Sequence, residues 1–186
     1  MYTATLHKYE QGKFTQIAGP VDVEVERLRE GTLEGSPISE VVAFWRSYED
    51  LGRDVSAAGI KLSNTIKMVD KIFYAAGHAN VDKDFLEELM ALQGELDALN
   101  MELNGNPAKN QIGEKNKPTI GDRLFALNRG VSLSTYGPTP THQATVEIIT
   151  KQLSALESKL DQSRAKAKDM AKRIKDAGGA WIEGMD

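Results

Sequence analysis

The sequence predicts a mainly α fold: an elongated antiparallel bundle of three long helices and one short one, with a small N-terminal β element. Three observations carry this reading. Between about Ser39 and Ala79, apolar residues recur mostly three and four apart, at Val41, Trp45, Tyr48, Leu51, Val55, Leu62, Ile66, Val69 and Phe73. That spacing draws a narrow seam along one side of a helix roughly 60 Å long, and a seam of that length must be covered. Phe85, Leu89, Leu92, Leu96, Leu99 and Leu103 keep strict four-three alternation in a second helix. Val146, Ile149, Leu153, Leu156, Leu160, Ala167, Met170 and Ile174 do the same in the last one, with Ser163 or Arg164 interrupting. Short connections favour closure within one chain. A coiled coil between chains is the alternative, because the same seam serves both.

The first thirty residues read differently. Tyr2–Tyr9 is rich in β-branched and aromatic residues, a turn signal follows at Gly12, and Lys13–Ala18 is a plausible hairpin partner. Gly19-Pro20 is expected to break that strand. Val21–Leu28 alternates apolar and charged residues, predicting a half-buried strand with Val21, Val23, Val25 and Arg27 on one side. So few strands are marginal alone. They are read as the last strands of a truncated β-sandwich, or as a small sheet packed on the helices. Residues 1–30 therefore form a β segment and 36–186 a helical bundle, joined by a linker from Arg29 to Pro37.

The first helix is expected to start with Ser36 or Ser39 as cap and to stop near Gly77. Gly52 and Gly59 inside it read as close-packing sites or mild bends. Asp82 should cap the second helix. Residues 105–118 read as a polar loop without periodicity. Thr119 should cap the short helix, whose inner face carries Ile120, Leu124, Leu127 and Val131. Thr141 is the expected cap of the last helix, which Gly178-Gly179 ends. Ala180-Trp181-Ile182 should then fold back onto the bundle.

Composition narrows function more than it names it. Net charge is −4, which argues against a general nucleic-acid binder. No apolar run approaches the roughly 18 residues that suggest a spanning helix, so no membrane insertion is expected. The absence of cysteine excludes disulfides, thiol nucleophiles and cysteine-ligated zinc. No signal segment opens the sequence, which suggests a cytoplasmic protein or an internal piece of a longer chain. His7, His78 and His142 lie at no ligand spacing, so no metal and no cofactor is expected.

Glu87, Glu88, Glu95 and Asp97 could serve as paired carboxylates for glycoside chemistry, but they lie outside the seam and read as a solvated face. The cations Lys166, Lys168, Lys172, Arg173 and Lys175 read the same way, suited to the negative end of a helix dipole. No catalytic residue emerges. The best candidate contact surface is the turn carrying Tyr136, Pro138, Pro140 and His142, at one pole of the bundle. A turn that locks two helices together is the plainer reading, with His142 a polar residue of the first helical turn.

Several stretches together resemble the C-terminal region of bacterial sortilin-like β-propeller proteins, often described as glycosyl-hydrolase-like. They are Tyr2-Thr-Ala-Thr-Leu6, Gly19-Pro20-Val21-Asp-Val-Glu-Val25, the linker near Gly31-Thr-Leu33, and the helix ending Leu103-Asn-Gly-Asn-Pro107. Pro118-Thr-Ile-Gly-Asp-Arg123, Ser132 to His142 and the closing Ala177-Gly-Gly-Ala-Trp181 complete the set. The aspartate-box repeats of propeller blades are absent from this sequence, so no catalytic residue carries over. The resemblance implies a non-catalytic accessory module of a secreted, periplasmic or cell-surface protein. Its partners would be the parent chain's β-propeller and β-sandwich domains, and through the parent a protein or carbohydrate. Two other functions stay open: a loop around Tyr136 that completes a hydrolase or carbohydrate site of the parent, and self-association as a coiled coil.

Overall fold

A computed structural model describes residues 1–26, 28, 31–115 and 117–184. The chain divides into two compact units, Met1–Glu34 and Gly35–Asp186. Among the described residues, the first holds two antiparallel strands and the second five helices, so the mainly α class with a small N-terminal β element is correct. No helix of the described residues is long and apolar enough to cross a membrane.

Unit one is a hairpin of β1 (Tyr2–Glu10) and β2 (Lys13–Val23). Gln11 and Gly12 both take positive φ, 50° and 79°, the pattern of a two-residue turn whose twist matches the strands. The expected break at Gly19-Pro20 does not occur, because β2 runs through it. The register shifts between Ala4 and Leu6 and again between Leu6 and His7, and these irregularities absorb the dipeptide. A β-carbon at Gly19 (φ 86°) would lie 2.6 Å from the Ala4 carbonyl oxygen, so glycine is required there. The separate strand expected over Val21–Leu28 shrinks to the end of β2. Val21, Val23 and Val25 are exposed, not half-buried, and Arg27 lies outside the described residues.

Unit two contains α1 (Ile38–Ala76), α2 (Lys83–Asn104), α3 (Pro107–Gln111), α4 (Ile120–Ser132) and α5 (Pro140–Asp176). The expected side-chain cap of α1 is not formed: Pro37 occupies the cap position, and its carbonyl accepts from the Glu40 and Val41 amides. Asp82 caps α2 as expected, its carboxylate accepting from the Phe85 amide at 2.8 Å. Thr119 caps α4 in a reciprocal box with Asp122, both bonds 3.0 Å. The cap of α5 is Thr139 and not Thr141, since Pro140 then takes the first helical position, where no amide is needed. The 105–118 segment contains α3, started by Asn106, whose Oδ1 accepts from the Ala108 and Lys109 amides.

Contacts at their ends fix the directions of the helices. The Ser36 amide donates to the Tyr136 carbonyl just before α1 and α5 start, and the Asn80 amide to the Ala177 carbonyl just after they end, so α1 and α5 run parallel. Glu95 with Lys166 and Glu88 with Arg173 show α2 antiparallel to α5. The start of α4 abuts the end of α2, because a β-carbon at Gly121 would sit 3.1 Å from the Leu103 carbonyl oxygen. At its other end, α4 meets the first turn of α5, with Gly130 under the His142 ring. Helices α2 and α4 thus act as successive halves of one leg, packed on both α1 and α5.

The core is the shared seam. All six predicted α2 residues are buried, as are Ile149, Leu153, Leu156, Leu160, Ala167, Met170 and Ile174 of α5. Of the two residues that could interrupt the α5 seam, Ser163 occupies it, buried, its hydroxyl donating to Glu95 Oε2 at 3.2 Å. In α1 the buried residues Leu51, Val55, Ala58, Leu62, Thr65, Val69, Ile72 and Ala76 follow a four-three alternation, and Val41, Met68 and Ala75 are buried beside it. Ile72 is 0% exposed and Phe73 40%, so the predicted seam is one residue out of phase at the end of α1. Thr65 can sit in the seam because its hydroxyl donates to the Lys61 carbonyl at 2.8 Å.

Gly59 packs as expected, with Leu103 Cδ2 at contact distance from an added β-carbon, but Gly52 meets nothing within 4 Å. Gly94 in α2 is equally open. Gly52→Ala and Gly94→Ala should therefore each raise stability by about 0.5–1 kcal/mol, because alanine loses less backbone entropy in a helix. Urea titrations of the two variants check this.

Past α5, Gly178 (φ 84°) turns the chain and the Gly179 amide donates to the Ile174 carbonyl at 2.9 Å. The tail folds back through Ile182, which is 2% exposed, whereas Trp181 remains 58% exposed.

Candidate functional site

The α4–α5 turn holds the four residues singled out as a contact surface. Tyr136 (41% exposed) and Pro140 are exposed, while Pro138 and His142 are half-buried. The turn is clasped to the start of α1. The Ser36 amide donates to the Tyr136 carbonyl at 2.8 Å, and Gly35 lies so close that an added β-carbon would be 2.9 Å from that same oxygen. Gly137 takes φ 103°, and a β-carbon there would be 2.6 Å from Ser36 Cβ. His142 serves the structure of the turn. Its Nδ1 accepts from the Thr139 amide at 3.3 Å while Thr139 Oγ1 accepts from the His142 amide at 3.2 Å. These contacts describe a lock between α1, α4 and α5, with Pro140 exposed and one edge of the Tyr136 ring lying against Gly35.

A second arrangement escapes any reading that treats charged helical surfaces as merely solvated. Glu88, Glu95 and Glu102 stand one heptad apart on α2, and Arg173, Lys166 and Lys159 stand one heptad apart on α5. They pair in antiparallel order at 2.5, 2.7 and 3.6 Å. Lys166 donates to both oxygens of Glu95, at 2.7 and 3.0 Å. The hydrogen bond from Arg173 to Glu88 holds its guanidinium above the usual arginine range, and Arg173 also lies 4.9 Å from the Phe85 ring centre. Each exposed pair contributes only about 0–1 kcal/mol, so the ladder selects register more than it stabilises. The matching seven-residue spacings are the signal by which the sequence discloses it.

Surface grooves lie on two sides of α5. One of about 330 Å³, between α1, α5 and the tail, is lined by Asn64, Lys67, Lys71, Arg164 and Glu183. Lys71 donates to Glu183 there at 2.7 Å, which lowers that carboxyl below the ordinary glutamate range. Another of about 520 Å³ follows the α2–α5 ladder past Leu92 and Met170. Burial, with Glu49 nearby, raises the Tyr48 phenol above its usual range.

The three histidines lie on separate elements. His7 is on β1, His78 follows α1 with its Nδ1 3.1 Å from the Tyr74 carbonyl, and His142 starts α5. Among the described residues, no group of three His, Cys, Asp or Glu side chains is placed to hold a metal ion. No family model, curated protein or solved structure matches this chain.

Proposed function

We propose that this chain is a non-catalytic accessory module of a larger exported protein, of the sortilin-like β-propeller kind its sequence resembles, and serves as spacer, stabiliser or docking element. One observation carries the reading: α1, α2 and α5 bury their heptad seams against one another within a single chain. A bundle closed in this way needs no second chain to cover its seam. The strut it offers is about 58 Å long, the 39 residues of α1 at about 1.5 Å each. The clasp at Gly35, Ser36 and Gly137 ties the start of α1 to the α4–α5 turn, and the tail contacts at Ile182 and Glu183 fasten the other end of α1. Self-association through the seams has less support, because Leu62, Leu89 and Leu156 are already covered without a partner.

The absence of cysteine makes the strut directly measurable. Spin labels on the double variant Glu40→Cys, Tyr74→Cys, both exposed positions of α1, lie 34 residues apart. Pulsed electron spin resonance should give one narrow distribution centred at about 51 Å along the helix axis. A broad distribution, or one centred far shorter, would remove the basis for a spacer.

A further inference from the structure

We draw no further inference here: the strongest candidate, the apolar face of the β1–β2 hairpin carrying Tyr2, Leu6, Val21 and Val23, is an unpartnered sheet face, and nothing in the structure shows what covers it.

Discussion

Leu156→Ala should destabilise the bundle by about 2–5 kcal/mol, the range for removing a fully buried leucine. Leu156 is 0% exposed and sits in the α5 seam within the continuous core that also contains Leu96, Leu127 and Val55. Leucine and alanine are both good helix formers, so the loss would come from the cavity and the lost contacts. The matching control is Leu133→Ala. Leu133 is exposed at the end of α4, where truncation should change stability by less than about 0.5 kcal/mol. Urea unfolding followed by helical circular dichroism reads both. Equal losses for the two variants would mean that Leu156 does not lie in a packed interior.

Gly137→Val should produce the second large effect, by opening the clasp at the start of α1. A β-branched residue at φ 103° carries backbone strain of about 1–3 kcal/mol, and its β-carbon would also overlap Ser36. The two costs are separable. Gly12 also has positive φ, 79°, but meets nothing within 4 Å, so Gly12→Val carries the strain without the overlap. Hydrogen exchange gives the local readout: the Ser36 amide, which donates to the Tyr136 carbonyl, should lose protection in Gly137→Val and keep it in Gly12→Val. Retained protection at Ser36 in both variants would contradict the clasp.

How far the sequence discloses this fold varies by element, for physical reasons. The α2 seam is legible because every seam position from Phe85 to Leu103 is filled by a large apolar side chain. In α1 the same geometry uses Ala58 and Thr65, a small and a polar residue that a search for large apolar residues passes over. Skipping Thr65 brings in its neighbour Ile66, which is only partly buried against the core, and past the correctly read Val69 the exposed Phe73 is taken in place of Ile72. Caps show a similar limit. Asp82 and Thr119 stand alone at their helix starts, whereas Thr139 and Thr141 flank Pro140, and only the proline's suitability for the first turn selects Thr139.

The α4–α5 turn is legible in the sequence only as a rigid proline-containing segment. Its attachment to Gly35 and Ser36 joins residues about a hundred positions apart, which no local pattern encodes. The ladder of Glu88, Glu95 and Glu102 with Arg173, Lys166 and Lys159 is visible as spacing on each helix, but its pairing depends on the antiparallel register of α2 and α5. In the hairpin, Gly19-Pro20 carries the local signature of a break, but extra residues in β2 at the two register shifts let the pairing with β1 continue past it.

The central claim is that the helical seams close within one chain, and the concentration dependence of melting tests it most directly. Thermal unfolding of the full chain, followed by helical circular dichroism, should give the same Tm over roughly a hundredfold range of concentration. A Tm that climbs with concentration would mean that folding is linked to association, and the bundle would then be built between chains.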